Sequence, residues 1–400
     1  MDKKSVVSVV RCWDYNEQKV EDAVRKAVDL IGGLDEKATS GKRILLKPNC
    51  LDASKPEKGV TTHPSVFKAI GKILKEYGAD CCYGDSPAID SPAKALKVCG
   101  IEKAAVELGI NASDFFTPVE IVNQKSKLIK KFVIAKAFTN VDFVVSLPKL
   151  KTHGQTYFTG AVKNIFGMVP GLRKAAYHFK LPGTELFSQM LVDLYSLINP
   201  IFSLMDGIVG MDGNGPKSGR LRDVGLVIMG LDGVSVDAVS CKIIGINPME
   251  VPTIRLANEQ GVGVGDLDNI EIRGENTQEV KVKYFDVYKP APDMKFLGDY
   301  LSQKVKHIIT LRPVIDNRRC NSCYTCVNIC PPTQKALSIV EKEKPPSINH
   351  KFCIRCYCCQ EVCPKGAIRL IRNPIVGLFI TIYKWIPKVF TSIILLKKHK

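Results

Sequence analysis

The 400-residue sequence lacks several features that mark secreted, membrane-spanning or nucleic-acid-binding proteins. It opens with no basic segment followed by an apolar stretch, so we expect no secretory leader. Its 15 cysteines form no recognisable secreted disulfide framework. These absences favour a cytoplasmic protein, because thiols stay reduced there.

A concentrated basic patch is also missing, although the formal net charge is +17. The lysines are scattered along the sequence and are not collected into an arm or interleaved with aromatic residues, so we expect no nucleic-acid binding. A solvated basic surface that attracts anionic partners or lipids is the simpler interpretation. Near-average hydrophobicity and 24% charged residues indicate a globular chain of two or three domains.

Eight cysteines form two similar runs near the C-terminus. The runs are Cys320-x-x-Cys323-x-x-Cys326-x-x-x-Cys330-Pro331 and Cys353-x-x-Cys356-x-x-Cys359-x-x-x-Cys363-Pro364. This spacing resembles that of bacterial dicluster ferredoxins, in which each run gives three thiolates to one [4Fe–4S] cluster and its last thiolate to the other. The resemblance implies two clusters, one held by Cys320, Cys323, Cys326 and Cys363, and the other by Cys353, Cys356, Cys359 and Cys330.

The ferredoxin-like resemblance covers about residues 311–372, as two repeats over 311–341 and 344–372, and implies a small α+β domain. A zinc site or a set of disulfides is the alternative for these cysteines. Cys358 is a fifth cysteine in the second run, and we interpret it as a small hydrophobic residue beside the cluster. We expect Ile329, Ile354 and Val362 to enclose the sulfurs.

Residues 1–300 alternate short apolar runs with amphipathic stretches, which predicts an α/β domain with a layered, mostly parallel sheet. The predicted strands include residues 42–48, 79–85, 141–147 and 201–206. Helices are predicted from Pro64 to Tyr77 and from Pro92 towards Leu108. In such sheets, ligands bind at the carboxyl ends of the strands.

The same domain resembles the domain-of-unknown-function family 362, whose members are often fused to a dicluster ferredoxin. The similarity lies in the segments Leu46-Lys47-Pro48-Asn49, Thr61-Thr62-His63-Pro64, Gly84-Asp85-Ser86-Pro87, Leu147-Pro148-Lys149-Leu150-Lys151-Thr152-His153, Val162-Lys163-Asn164-Ile165-Phe166-Gly167 and Met205-Asp206-Gly207. It covers roughly residues 5–275. This resemblance implies an architecture but no settled reaction.

Several polar residues follow the predicted strand ends and form a candidate substrate site. The candidates for binding are Lys47, Asn49, Lys149, Lys151, Lys163 and Asn164. The lysines would bind a carboxylate or phosphate, and the asparagines would add neutral hydrogen bonds. His153 is the candidate proton carrier, because its ordinary pKa lies near neutral pH. The alternative is that each lysine is solvated and that His153 caps a loop.

A glycine-rich stretch over residues 207–219 follows one predicted strand. Pro216 interrupts the Gly-Lys-Ser core of a phosphate-binding P-loop, which excludes nucleotide hydrolysis. We expect a loop there, in which Asp206 and Asp212 bind substrate or a metal ion, or else a plain surface loop.

Residues 373–400 predict an amphipathic basic helix that lies in a membrane interface on the inner face of the cell membrane, or else packs against protein. Together these patterns predict an iron–sulfur oxidoreductase. It would pass electrons between a redox protein partner and a small anionic substrate. The alternative is a non-catalytic electron carrier or scaffold that docks redox partners.

Overall fold

The computed structural model describes residues 4–181, 183–288, 310–330 and 335–372, so the predicted helix over residues 373–400 lies outside the described residues. The strands are β1 (Ser5–Arg11), β2 (Arg43–Pro48), β3 (Asp80–Tyr83), β4 (Asn111–Ala112), β5 (Pro118–Val122), β6 (Lys131–Ala135), β7 (Phe143–Leu147), β8 (Lys149–His153), β9 (Tyr157–Thr159), β10 (Phe202–Asp212), β11 (Arg220–Gly230), β12 (Ile270–Gly274), β13 (Arg312–Ile315), β14 (Leu337–Ser338), β15 (Ser347–Ile348) and β16 (Ile368–Ile371). The α-helices are α1 (Glu17–Leu30), α2 (Glu36–Thr39), α3 (Pro64–Glu76), α4 (Pro92–Val98), α5 (Ile101–Glu107), α6 (Ala161–Asn164), α7 (Arg173–Lys180), α8 (Thr184–Ile198), α9 (Gly233–Ile243), α10 (Pro252–Glu259), α11 (Thr325–Ile329) and α12 (Cys358–Val362).

One ten-stranded sheet organises the N-terminal part of the chain. Its strand order is β12-β1-β11-β10-β7-β2-β3-β4, and β8 and β9 extend from β10. Strands β1 and β12 are parallel, as are the successive pairs from β10 through β7, β2 and β3 to β4. Strand β11 is antiparallel to both of its neighbours. The predicted α/β class with a mostly parallel sheet is therefore confirmed.

Apolar cores cover both faces of this sheet. Ile44 and Leu46 of β2 pack into one core with helices α1 and α3, whereas Leu45 packs into the other core with α8 and α9. Successive side chains of a strand point to opposite faces, so an unbroken apolar run fits a strand that is covered on both sides. The carboxyl end of β2 consequently lies between two helical layers.

Two predicted segments have different limits in the structure. The helix predicted from Pro92 towards Leu108 divides into α4 and α5, because Gly100 adopts the left-handed conformation with φ of 81°. The predicted glycine-rich loop is shorter than expected, since β10 continues to Asp212. A glycine suits position 207 of this strand, because a Cβ there would lie only 3.0 Å from the carbonyl oxygen of Leu226.

The segment after Leu147, which the sequence places at the end of a predicted strand, forms a further strand. Residues Lys149–His153 form strand β8, which pairs with β10 and folds back on β9. All five of its residues are buried. Its lysines are therefore held in the protein interior and not on a solvated loop.

The small C-terminal part is built from two similar halves. Helices α11 and α12 occupy equivalent places, and the residues before them, Tyr324 and Tyr357, have positive φ angles of 57° and 61°. Strand β13 of the first half pairs with β16 of the second, and β14 pairs with β15. The halves are thus interleaved, which is consistent with a ferredoxin-like domain whose fourth cysteines cross over.

Candidate functional site

The structure gathers the eight cysteines of the two runs around two cavities. One cavity has about 340 Å³ of empty space and is lined by Cys320, Cys323, Cys326 and Cys363. The other has about 360 Å³ and is lined by Cys330, Cys353, Cys356 and Cys359. Each predicted set is therefore brought together, with its fourth thiol supplied by the other half. Their role as cluster ligands stays a prediction.

Hydrogen-bond donors lie close to two of the cysteine sulfurs. Among the described residues, no three His, Cys, Asp or Glu side chains converge closely enough to hold one metal ion. The backbone N–H of Ala367 donates to Cys363 Sγ at 3.2 Å, and Thr325 Oγ1 donates to Cys323 Sγ at 3.4 Å. Amide and hydroxyl donors of this kind tune iron–sulfur clusters.

Helix α12 docks the ferredoxin-like part onto the α/β part. Its Gln360 Nε2 donates to the carbonyl oxygens of Asn214 and Gly215 and to Asn214 Oδ1, each at 3.0 Å. Asn214 Nδ2 in turn donates to the carbonyl oxygen of Ile368 at 3.1 Å. The shortened glycine-rich turn therefore serves as a docking point for the cysteine-rich part.

His153 belongs to this interface. Its Nδ1 accepts backbone N–H groups of Gln155 and Thr156, at 3.0 and 3.2 Å, which places the ring proton on Nε2. Nε2 lies 2.8 Å from Glu361 Oε1 of α12. Burial, reinforced by the nearby charge of Lys163, lowers the pKa of His153 to about 4. The ring is consequently neutral at pH 7.

Glu361 carries the negative charge of this pair. Burial acts to raise the pKa of its carboxyl group, but His153, Lys163 and His178 together hold that pKa well below its ordinary value. The candidate proton carrier His153 is therefore buried and paired with Glu361.

Two of the predicted binding lysines form buried ion pairs. Lys47 Nζ lies 2.8 Å from Asp85 Oδ1 and also donates to Asn164 Oδ1 at 3.2 Å. Lys149 Nζ lies 2.9 Å from Asp206 Oδ2. Burial lowers the pKa of both lysines, and the carboxylates oppose that shift. Each charge is already matched within the protein.

A glycine leaves room for the first of these pairs. A Cβ at Gly167 would lie 1.9 Å from Asp85 Oδ1 and 2.5 Å from Lys47 Nζ. Only glycine fits there without moving the pair. The Lys-Asn-x-x-Gly segment over residues 163–167 therefore contributes Asn164 and Gly167 to the surroundings of Lys47.

Lys151 is buried and forms no ion pair with any carboxylate among the described residues. Its Nζ donates to Asn49 Oδ1 at 2.7 Å and to the carbonyl oxygen of Val60 at 2.6 Å. Burial, together with the positive charges of Lys163 and Lys149, lowers its pKa to about 7. The predicted residues Asn49 and Lys151 are therefore hydrogen-bonded to each other.

A cleft separates the α/β part from helix α12. It has about 650 Å³ of empty space, part of it open to solvent. Its polar lining includes Asn49, Asp85, Lys163, Asn164, Lys174, His178 and Glu361. Ile329, Cys358 and Val362 line it from the ferredoxin-like side. Three predicted binding residues, Asn49, Lys163 and Asn164, thus meet at this cleft, whereas Lys47, Lys149 and Lys151 lie behind its wall.

Two cations at the cleft lack an ion pair. The side chain of Lys163 is half-buried and has neither a hydrogen bond nor an ion pair within the described part of the chain. Burial lowers its pKa even though Glu361 lies nearby. Lys174 Nζ donates only to the carbonyl oxygens of Ser86 and Val169, and burial lowers its pKa to about 7.

His178 adds a neutral group to the cleft. Its ring stacks on Phe187 with centroids 4.2 Å apart, and Nδ1 has no hydrogen-bond partner in the described structure. Burial lowers its pKa to about 3. The sequence interpretation missed Lys174, His178 and Glu361. The position of Glu361 between Cys359 and Cys363 was the one available signal for it.

Cys358 lines the cleft and neither cysteine cavity. It packs with Cys356 and Ile329, and Ala175 of α7 covers this group. Its hydrogen bond with Cys356, together with burial, raises the pKa of its thiol well above the ordinary value. This small apolar environment agrees with its interpretation as a hydrophobic residue, and it links the second cysteine cavity to the cleft.

Comparisons with known proteins agree with both parts of the chain. The profile of a domain of unknown function, DUF362, matches residues 44–242, and that of a 4Fe-4S dicluster domain matches residues 312–364. The thylakoid-associated protein sll1697 of Synechocystis is 32% identical over 257 residues, which are 64% of this chain and 79% of that protein. Among the described residues, we find no helix with the length and apolar character needed to cross a membrane.

Two solved structures are distantly similar. A protein from Thermotoga maritima has a TM-score of 0.32 and 15% identity, over 55% of this chain and 56% of its own. The lactate racemase apoprotein from Thermoanaerobacterium thermosaccharolyticum has a TM-score of 0.36 and 16% identity, over 57% and 54%. The chain thus spans just over half the length of either structure. The profile matches and the extent of the sll1697 similarity show that the chain belongs to the DUF362 family and carries a 4Fe-4S dicluster domain.

Proposed function

We propose that this protein binds two [4Fe–4S] clusters and passes electrons to or from a small anionic substrate held in the cleft. The two cysteine sets would each hold one cluster, and a bound cluster would supply single-electron transfer. The cleft is the place where the α/β part and the second cysteine run meet. A substrate there would lie beside the residues that hold the second cluster.

The observation that carries this proposal is that Lys163 forms no ion pair among the described residues, although the Glu361 carboxylate lies nearby. A cation that is partly removed from water without a carboxylate is costly, unless a ligand supplies the missing charge. Lys47 and Lys149 illustrate the contrast, since each has a buried carboxylate within 3 Å. Lys174, which also has no carboxylate partner, lines the same cleft.

The other cleft residues define what such an anion would meet. The unpartnered Nδ1 of His178 offers a hydrogen-bonding position without adding charge. Glu361 would be held against the cleft wall by His153, so we assign His153 a positioning role behind the site. The two lysines and the imidazole favour a small carboxylate or phosphate compound.

Calorimetric titration of the anaerobically purified protein with inorganic phosphate, and with a series of small carboxylates, tests anion binding. Lys163→Gln should weaken binding of the best anion at least tenfold. The matched substitution Lys103→Gln, at an exposed lysine of α5, should leave it unchanged. Equal binding by the wild type and Lys163→Gln would contradict the cleft assignment.

A non-catalytic carrier or scaffold is the alternative, and turnover separates the two roles. An oxidoreductase should convert the bound anion when electrons are supplied continuously through the clusters. A carrier should exchange electrons with redox proteins and leave every anion in the series unchanged.

We also propose peripheral membrane association through residues 373–400. The aromatic and basic composition of this segment supports it, and the relative sll1697 is named as thylakoid-associated. Deleting residues 374–400 should abolish sedimentation with vesicles that contain anionic lipid. Unchanged sedimentation would contradict the proposal.

A further inference from the structure

The two cysteine cavities have different surroundings. Cys323 of the first set is exposed to solvent. Each set has two buried cysteines, and in the second set the other two, Cys330 and Cys353, are half-buried. Cys356 packs against Cys358, which faces the cleft. The first cavity therefore has a solvent-exposed ligand, whereas the second packs against the α/β part through Cys358.

The cavities are also joined to each other. Cys326 and Cys363 of the first set pack in one apolar cluster with Cys359 of the second. Clusters in two such adjacent cavities would be connected through this shared packing. Because Cys356 of the second set packs against Cys358 and Ile329, which line the cleft, electrons that enter at the exposed Cys323 would pass the first cavity on the way to the cleft.

We propose that the first cluster exchanges electrons with a small acidic carrier protein that docks over Cys323, and that the second cluster exchanges electrons with the cleft. This inference rests on the proposed binding of two clusters. It adds an order of transfer and a docking surface, which we call the carrier face and define by residues 318–324, 339–344 and Lys365.

The carrier face has an exposed apolar centre. Ile339 and Val340 are 46% and 79% exposed. The loop that they begin is fixed beside Cys323, since Ser322 Oγ donates to the carbonyl oxygen of Glu343 at 2.9 Å. Tyr324 OH likewise donates to the carbonyl oxygen of Lys344 at 3.1 Å. An apolar centre beside an exposed cluster ligand suits a transient redox contact.

The charge of this part of the chain selects an acidic occupant. The carrier face itself has five Lys and Arg against two Glu, and residues 312–372 contain eleven Lys and Arg against four Asp and Glu. Arg318, Lys342 and Lys365 have no ion pair among the described residues. Such unpaired surface cations attract a negatively charged partner and accelerate its association.

Charge reversal tests the carrier face. The rate of cluster reduction by a reduced flavodoxin, used as the acidic carrier, is measured by stopped flow at low and high salt. Arg318→Glu/Lys342→Glu should slow it at least tenfold at low salt, and the difference should shrink at high salt. The matched double substitution Lys26→Glu/Lys37→Glu, at exposed lysines of α1 and α2, should leave the rate unchanged. Equal rates for all three proteins would overturn the docking surface.

Two further readouts separate this proposal from the cleft. Photoreduction by a neutral deazaflavin should proceed equally in all three proteins, since it needs no docking. Phosphate or carboxylate binding in the cleft should also be unchanged. If charge reversal does not change the rate of reduction by flavodoxin while anion binding is intact, the carrier face alone is overturned.

Removing one cluster at a time tests the order of transfer. Cys356→Ala should retain the first cluster, and flavodoxin should reduce it at the wild-type rate, followed by its electron paramagnetic resonance signal. Cys320→Ala should retain the second cluster, which deazaflavin reduces but flavodoxin reduces at least tenfold more slowly. Faster reduction of the second cluster would overturn the order. If either variant loses both clusters, the charge-reversal rates decide the proposal.

Discussion

At the scale of single residues, the lysines in and around the cleft differ in whether a carboxylate pairs with their charge. Lys47 and Lys149 are fully enclosed and each has a carboxylate partner. Removing one member of a buried pair leaves an uncompensated charge, which costs much more than losing an exposed pair. We therefore assign these two lysines to stability and Lys163 to binding.

Asp85→Asn tests the stabilising role of the first pair. Asparagine keeps the shape of Asp85 but leaves the Lys47 ammonium buried without a counter-charge. We expect the free energy of unfolding, measured by urea denaturation, to fall by about 3–5 kcal/mol. Glu120→Gln breaks the exposed Lys131–Glu120 pair and should change it by less than about 1 kcal/mol. Similar small effects of both substitutions would contradict the assignment.

Buried neutral histidines predict loss of stability in mild acid. Burial lowers the folded-state pKa of His153 to about 4 and that of His178 to about 3, below the ordinary value of 6.5. The unfolded chain therefore binds more protons below pH 6.5. Their stabilising contribution is complete above pH 6.5 and is lost as the pH falls towards those folded-state values.

His178→Phe isolates one of these contributions. Phenylalanine can occupy the site because the ring of His178 packs against Phe166 and Phe187. Between pH 7.5 and 5.5, the wild-type free energy of unfolding should fall by about 1 kcal/mol more than that of the variant. The same pH dependence in both proteins would show that the pKa of His178 is not lowered by folding.

The cysteine sets and the buried pairs differ in how far sequence reasoning could reach them. Ligand spacing within a short run is a local property, so the two cysteine groupings could be predicted and the structure brings them together. The partners of Lys47 and Lys149 come from distant strands. Those contacts depend on the assembled sheet, which local pattern does not specify.

At the scale of elements, helix α12 connects the two halves of the proposed function. It carries Cys359 towards the second cavity, Cys358 and Glu361 towards the cleft, and Gln360 towards the α/β part. Five residues thus face three different environments, as a helix permits. The sequence predicted the cysteines of this helix but not its docking, because Gln360 belongs to no cluster motif.

Gln360→Leu should loosen this docking while leaving the clusters in place. Leucine removes three hydrogen bonds and leaves the carbonyl groups of Asn214 and Gly215 without that donor. We expect faster proteolysis between the two parts and at least threefold weaker anion binding, with unchanged iron content. Gln278→Leu, in an exposed turn, is the control. Unchanged proteolysis and anion binding would contradict a docking role for Gln360.

Strand β8 shows where an element escaped prediction. The sequence Lys-Leu-Lys-Thr-His has no apolar face, and its polar residues suggested a loop. In the structure, Lys149 pairs with Asp206, Lys151 bonds to Asn49, and His153 meets Glu361. Tertiary contacts therefore hold this segment in a strand, although its own sequence pattern does not predict one.

At the scale of the whole molecule, we propose one route for electrons through two fused parts. The ferredoxin-like part presents one cysteine set to solvent and the other to the α/β part. The α/β part lies against the second set, and the cleft between them contains cations that form no ion pair among the described residues. The parallel sheet could be predicted from its apolar runs, whereas the cleft could not, because it exists only where the two parts meet.

The most direct test of this account is a potentiometric titration of the anaerobic protein, followed by electron paramagnetic resonance, with and without the best-binding anion. We predict about eight irons per chain and two [4Fe–4S] signals. The anion should lower the reduction potential of one cluster only, because nearby negative charge disfavours the reduced form, and Lys163→Gln should abolish that shift. Zinc in place of iron, one cluster per chain, or a shift that persists in Lys163→Gln would contradict the account.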